Sequence, residues 1–379
     1  MSIALAELHE RAAHDPGVVD AFLHGREFPL VEGSRVTFAW RGHAEAVYLQ
    51  HWIYGLEAEQ PFERVAGTDL WTLVMEIPAN SRVEYKIAVQ ADGGRGRLVQ
   101  DPLNPHHARD PYGANSVVYG EGYVAPTWVE PDPDARPGEL RELKLMSDVF
   151  GGPRPVTVYL PARFRETRRY PLLVVHDGAD YLRFTGLRTV LDNLIHWLEI
   201  PPMVVALTQS PNRLQEYAGD ERHGRFLVEE LVPLLEERFP LVGTPSARGL
   251  MGASFGAVAS LSTAWRHPGF FGNLLLQSGS FAFTDIGHHD RGPVFDPVVE
   301  FTNAFRAAPG HPAERVYVSC GTYESLIYYN RSLVPLLQNT GMAVKYTEAR
   351  DGHNWENWRD RLREGLSWLF PGPLWFVYE

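Results

Sequence analysis

The spacing of apolar residues changes once along this chain, and that change limits the fold more than any other feature. In the first third, apolar residues fall in short β-branched or aromatic runs: Arg35-Val-Thr-Phe-Ala-Trp40, Ala46-Val-Tyr-Leu-Gln50, Leu70-Trp-Thr-Leu-Val-Met75 and Val83-Glu-Tyr-Lys-Ile-Ala-Val89. Gly, Pro or Asn clusters separate them, which is the pattern of an antiparallel β-sandwich. Ahead of them, Ile3 to Leu23 has near-helical apolar spacing and predicts one or two short helices. Then comes Val129-Glu-Pro-Asp-Pro-Asp-Ala-Arg-Pro-Gly138, too rich in proline and acid to pack a core. Such a run predicts an extended, stiff connector.

Beyond the connector the strands become solid apolar runs, as strands buried on both faces must. Leu172-Leu-Val-Val-His176 and Met203-Val-Val-Ala-Leu207 are of this kind. Leu140–Ser147 and Val156–Leu160 precede them as a leading pair, and Gly249–Gly252, Asn273–Gln277 and Val316–Ser319 continue the series. Phe226 to Phe239 is amphipathic and predicts a helix. Strand–helix alternation implies a mostly parallel sheet covered by helices on both faces. The expected organisation is a small immunoglobulin-like or sugar-module-like sandwich over 1–128, a linker over 129–138, and an α/β catalytic domain over 139–379.

Charge narrows the partners. A formal net charge of −12 repels polyphosphate, so nucleic acid and anionic membrane are not expected partners. A small anionic substrate is not excluded, because it feels only charges within a Debye length of about 8–10 Å. The single cysteine, Cys320, rules out an internal disulfide and any multi-cysteine metal site. Met1 to Gly17 contains no apolar signal core, and no stretch approaches the roughly 18–20 apolar residues of a membrane span. The expected location is the cytoplasm. A homodimer is compatible with the sequence, which does not fix the oligomeric state.

The chemistry centres on Gly252-Ala-Ser254-Phe-Gly256, which fits G-x-S-x-G between a predicted strand and the small-residue helix Ala257–Trp265. This is the setting of a nucleophile elbow in the α/β-hydrolase fold. The serine occupies a strained turn, side chains two positions away on either side would collide with neighbouring backbone, and the helix N-terminus aims N–H groups at developing negative charge. Ser254 is the expected nucleophile. The oxyanion hole is expected to use the N–H of Phe255 and an amide of the loop His176-Asp-Gly-Ala179, with Gly178 and Ala179 as candidates.

A serine nucleophile needs a base, and the base needs an orienting acid, in the chain order Ser, acid, His. His353, in Asp351-Gly-His-Asn-Trp355, follows the strand-like Ala343–Glu348 and stands where a loop would carry a base over the sheet edge. Among the other downstream histidines, His267 reads as a helix exit residue, while His288, His289 and His311 lie in loops. Glu324 follows the strand Val316–Ser319 and is the expected acid. Asp285 and Asp290 remain as alternatives, and Asp351 is too close to His353 in sequence to be preferred. The pairs His106-His107 and His288-His289 lack ligand spacing and read as surface loop residues rather than metal sites. No metal or organic cofactor is needed for this mechanism.

Taken with their order, these motifs resemble the enterochelin (enterobactin) esterases and the wider esterase-D-like group of α/β-hydrolases. The similarity covers nearly the whole chain. Val36-Thr-Phe-Ala-Trp40, Thr68-Asp-Leu-Trp71 and Asp101-Pro-Leu-Asn-Pro105 are similar to the sandwich domain of that family. His176-Asp-Gly178, Asn212-Arg213 with Glu216-Tyr217, Glu230-Leu-Val-Pro233, Gln277-Ser-Gly-Ser280 and Gly352-His353 are similar to its catalytic domain. The resemblance implies hydrolysis of ester bonds in a cyclic catecholate siderophore by Ser254 and His353, with release of iron. It also implies that Arg213, Glu216 and Tyr217 lie near the substrate. A ferric tris-catecholate is an anion, so Arg183, Arg188, Arg213, Arg291 and Arg331 are the residues from which a local cationic cluster would be drawn.

A second reading is a carbohydrate ester hydrolase of the feruloyl or acetyl type. It rests on the sandwich domain and on Tyr323, Tyr328, Trp355 and Trp358, aromatics suited to stacking on sugars, though core packing explains such residues equally well.

Overall fold

The computed structural model describes residues 3–12, 14–15, 17–91, 96–284 and 288–373. The chain forms two compact units. The first comprises Met1–Ala125 together with two short later stretches, Thr322–Ser325 and Ala349–Asn354; the second comprises Pro126–Gly321, Leu326–Glu348 and Trp355–Glu379.

In the first unit, Leu30–Glu32, Arg35–Arg41, Leu70–Glu76 and Glu63–Arg64 pair in that order as one antiparallel sheet. Glu59–Pro61, Ala46–His51, Arg82–Gln90, Gly113–Tyr119 and His107–Asp110 form the other, with Arg97–Val99 also on Arg82–Gln90. Alternation sets which side chains face inward. Val36 and Phe38 of one sheet meet Val47, Leu49, Val83, Tyr85 and Ile87 of the other. The outer residues Ala39 and Leu70 are covered by Leu5, Leu8, Val18, Val19 and Phe22 from the helices Ile3–Arg11 and Val18–Leu23.

The second unit is built on an eight-stranded sheet. Its strands are β1 (Glu139–Ser147), β2 (Gly152–Leu160), β3 (Leu172–Val175), β4 (Val204–Thr208), β5 (Arg248–Ala253), β6 (Asn273–Gln277), β7 (Arg315–Gly321) and β8 (Ala343–Ala349). Their spatial order is β1-β2-β4-β3-β5-β6-β7-β8. β1 and β2 form an antiparallel hairpin, β2 is antiparallel to β4, and β4 through β7 run parallel. The solid apolar runs bury both faces: Leu172, Val174, Leu250, Leu274 and Val316 enter one core, while Leu173, Val175, Met251, Leu275 and Tyr317 enter the opposite one.

One local expectation changes. The helix expected over Phe226–Phe239 widens into a π-helical stretch, Phe226–Leu231, before Val232–Arg238. Pro233 has no N–H for the carbonyl four residues back, so the regular ladder is interrupted there. The connector is anchored to its neighbours by hydrogen bonds. Asn193 Nδ2 donates to the carbonyls of Trp128 and Glu130, Trp197 Nε1 donates to Asp132, and the Gly138 N–H donates to Asp192. Its lack of apolar residues is offset by hydrogen bonds to one helix, Leu187–His196, and to the tryptophan that follows it.

Candidate active site

Strand β5 ends at Ala253, and the helix α3 (Phe255–Arg266; α1 is Gly178–Phe184 and α2 is Leu187–His196) begins two residues later. Ser254 lies between them with φ 57° and ψ −119°, a backbone region that non-glycine residues rarely occupy. A side chain at Gly252 would strike backbone, and one at Gly256 would press on a neighbouring side chain. A Cβ on Gly252 would stand 2.4 Å from the Gly256 backbone, and one on Gly256 would stand 3.2 Å from the His176 side chain. Hydrogen bonds fix the turn to the next strand: Ser254 N–H donates to Gln277 O at 2.9 Å, and Ser280 N–H donates to Ser254 O at 3.2 Å. Ser254 Oγ lies 3.1 Å from Ser280 Oγ, a polar neighbour that the motif alone did not single out.

Amides surround this turn by construction. As first residues of helices, Phe255 and Gly178 have N–H groups with no intrahelical acceptor. Gly178 cannot be replaced without displacing β4, because its Cβ would lie 2.5 Å from that of Leu207. Asp177 precedes it in the left-handed conformation, φ 53°. Arg213 Nε holds the Asp177 carboxylate at 2.8 and 2.9 Å, and its Nη2 donates to Ala253 O at 3.4 Å. Burial pushes the Asp177 carboxyl above its ordinary value, and Arg213 opposes the shift. Arg213 therefore spans from the Gly178 loop to Ala253, the residue before Ser254.

Two residues expected near the substrate are buried. Glu216 is buried and accepts both guanidinium nitrogens of Arg154 at 2.8 and 2.9 Å, together with Ser210 Oγ at 2.6 Å. Tyr217 is fully buried in the core, with its hydroxyl accepting the Asp177 N–H at 3.4 Å. Tyr217 thus contacts the Asp177–Arg213 region, whereas Glu216 is committed to Arg154 and Ser210. The resemblance that placed these residues near the substrate did not reveal these partners, because Arg154 and Asp177 come from distant stretches of the chain.

Behind the elbow, His176 is sealed from solvent. Its Nδ1 is 3.0 Å from Met251 O and 3.1 Å from Ser260 Oγ, and its Nε2 is 2.9 Å from His223 Nε2. Burial holds both rings neutral: His176 lies well below its ordinary value and His223 is lowered to about 3.

In the first unit, His353 Nδ1 is 2.7 Å from Glu324 Oε2. The carboxylate side chain is completely buried, while the imidazole keeps 38% of its surface exposed. The neighbouring Tyr323 hydroxyl is 2.6 Å from Ser81 Oγ, so this expected sugar-stacking residue is already tied to the sandwich. Trp355, in the second unit, packs edge-on against Tyr181 at 5.2 Å and Trp358 at 4.8 Å between ring centroids and is only partly exposed. Trp358 is buried with Nε1 donating to Ser278 Oγ. Asp290 is exposed, and Asp285 lies outside the described residues. Arg188, Arg213 and Arg331 are bound to Asp192, Asp177 and Glu348, so these three do not supply a pool of free cations. A cavity of about 440 Å³ bounded by Trp265, Arg266, Glu300 and Phe301 includes none of the expected catalytic residues.

Sheet order and elbow together place the protein among the α/β-hydrolases, enzymes that use a serine in this turn as their nucleophile. Comparison with known proteins narrows the class. The chain belongs to the esterase family: the family model "Putative esterase" matches residues 147–369, and "Enterochelin esterase, N-terminal" matches residues 35–128. It is a carboxylic ester hydrolase. It is similar to the iron(III) enterobactin esterase of Escherichia coli O6:H1, with 25% identity covering 90% of this chain and 93% of that protein. The structure of the enterobactin esterase from Shigella flexneri in the presence of enterobactin shares the fold at TM-score 0.74 and 22% identity, covering 92% of this chain and 97% of that one. A ferulic acid esterase from Anaeromyces mucronatus in complex with ferulic acid aligns at TM-score 0.54 and 17% identity, covering 64% of this chain and 94% of that one.

Proposed function

We propose that this esterase hydrolyses the ester bonds of a cyclic catecholate siderophore, with iron as part of the substrate, in the cytoplasm. The observation that carries the reading is the extent of the match. Similarity to an enterobactin esterase runs through 90% of this chain, sandwich domain included, whereas the ferulic acid esterase alignment covers only 64% of it.

In this reading Ser254 attacks the ester carbonyl while His353 takes its proton, and Glu324 fixes the imidazole tautomer and stabilises the imidazolium. The Phe255 N–H and an amide of the Gly178–Ala179 pair hold the oxyanion, where loss of one donor costs about 10²–10³ in turnover. His353 then protonates the departing alcohol, and water repeats the cycle on the acyl-enzyme. Ser254 lies in the turn this chemistry uses, and the 2.7 Å His353–Glu324 bond gives the base its orienting acid.

The test is to incubate the purified enzyme with ferric enterobactin, iron-free enterobactin and methyl ferulate, and to resolve the products chromatographically. Release of 2,3-dihydroxybenzoyl-serine units from the trilactone, abolished in Ser254→Ala, is the expected result. Turnover of methyl ferulate with an intact trilactone would replace the siderophore reading with the sugar-ester one.

A further inference from the structure

Arg82 is among the largest fully buried side chains of the described residues, and it begins a sandwich strand whose alternation reads as a polar outer face. Its bonds do not run to water. Nη1 donates to Asp351 Oδ1 at 3.2 Å and to Asn354 Oδ1 at 3.0 Å, and Nη2 donates to Glu84 Oε1 at 2.9 Å. Its backbone N–H donates to Arg350 O at 2.9 Å. Asp351 in turn accepts the Gly352 N–H at 2.7 Å and Asn354 Nδ2 at 2.8 Å, and its carbonyl accepts the Tyr323 N–H at 3.1 Å. The bonds close around Gly352 and His353 on one side and reach the residue beside Glu324 on the other.

A buried guanidinium is a poor way to gain stability. Removing charges from water costs several kcal/mol per ion, and well-packed apolar groups of the same volume commonly do as well or better. Here one cation faces two carboxylates, and burial pushes the Asp351 carboxyl up to about 6 despite Arg82. Arg82 offers a rigid fork instead of net stability: its two nitrogens fix the separation of Glu84 and the 351–354 turn. Further bonds from the sandwich to the same turn, such as Arg350 Nη1 to Ala79 O at 2.7 Å, restrain it in the same sense.

We propose that Arg82 is a positioning residue for the catalytic base, holding the 351–354 turn so that His353 keeps one orientation against Glu324. The inference rests on the reading of His353 as the base. It gives the sandwich domain a part in catalysis that does not depend on binding sugar or siderophore.

The test compares Arg82→Met, Arg82→Lys, Asp351→Asn and His353→Ala with wild type, using p-nitrophenyl butyrate as the probe ester and correcting rates for the folded fraction by near-UV circular dichroism. Misplacing a catalytic group by about 1 Å can cost about 10²-fold. The expected result is a kcat loss of about 10²-fold for Arg82→Met and about 10-fold for Asp351→Asn. KM should stay within about twofold, and Arg82→Lys should recover part of the loss, as a point charge that cannot form the fork. The imidazole N–H proton resonance of the His353–Glu324 bond should broaden or vanish in Asp351→Asn. If Arg82→Met does not fold, Asp351→Asn decides, since it changes one oxygen to an amide. Wild-type kcat and an intact resonance in the folded variants, with His353→Ala inactive, would overturn the positioning role alone. An active His353→Ala would overturn the base assignment and the proposal with it.

Discussion

His353 and Glu324 sit 29 residues apart in sequence, yet Nδ1 of one is 2.7 Å from Oε2 of the other. The carboxylate is sealed while the ring is partly exposed. Glu324→Gln keeps the shape and removes the charge that stabilises an imidazolium. Loss of the corresponding acid in a serine triad costs about 10⁴ in kcat, and a fall of about 10²–10⁴ is expected here with KM little changed. Steady-state kinetics on a simple aryl ester would check it. A variant retaining a third of wild-type kcat would mean that another acid orients the base.

The elbow should tolerate no methyl group at Gly252. An added Cβ would lie 2.4 Å from Gly256 carbonyl carbon and oxygen, both backbone atoms that cannot swing aside. Overpacking of this kind costs about 1–3 kcal/mol or more, and here it also displaces the nucleophile. Gly252→Ala should lower the urea midpoint and reduce labelling of Ser254 by a fluorophosphonate probe by at least about tenfold, since a small shift of a reacting group is expensive. Wild-type labelling in a stable Gly252→Ala protein would contradict the packing argument.

How much of this was legible in the chain depended on whether the signal was local. The elbow was, because two glycines, a serine and a strand–helix boundary lie within five residues, and each has a steric reason to be there. The alternation of solid apolar runs with amphipathic helices likewise pointed to the α/β fold, since Leu172 to Val175 must bury both faces. Glu324, which bonds His353 here, was expected as the acid because the chain order of the fold places one after the strand that ends at Gly321. The supporting shell was hidden. Arg82, Glu84 and Lys86 alternate with Val83, Tyr85 and Ile87, and that pattern ordinarily marks a solvent face. Only tertiary structure shows that Arg82 is buried against Asp351. Glu216 was expected near the substrate from the family resemblance, and its partner Arg154, 62 residues away, left no local signal in the sequence.

That partner gives Glu216 a stability role that can be measured. Both side chains are nearly sealed, and the pair is bidentate. Removing one member of a buried pair leaves the other charge uncompensated, at a cost of about 3–5 kcal/mol. Glu216→Ala should lose that amount in urea unfolding while KM of the folded enzyme stays within about twofold. A large KM change without a stability loss would return Glu216 to the substrate site.

The His176–His223 pair predicts a specific acid sensitivity. His223 titrates at about 3 in the folded protein against an ordinary value of 6.5, chiefly because burial disfavours the imidazolium, with Arg154 adding to the effect. The unfolded chain therefore binds a proton that the native state refuses. The stability this histidine contributes is intact above pH 6.5 and is lost progressively as pH falls toward 3. At pH 5 the loss is about 2 kcal/mol relative to neutral pH, taking about 1.4 kcal/mol per pH unit below the unfolded value. His176, also held neutral, adds a loss of the same sign. His223→Gln offers an amide to the His176 Nε2 but does not titrate in this range. Its urea-unfolding free energy should fall by about 2 kcal/mol less than that of wild type between pH 7 and pH 5. Equal losses in the two proteins would show that His223 is not the group through which acid acts.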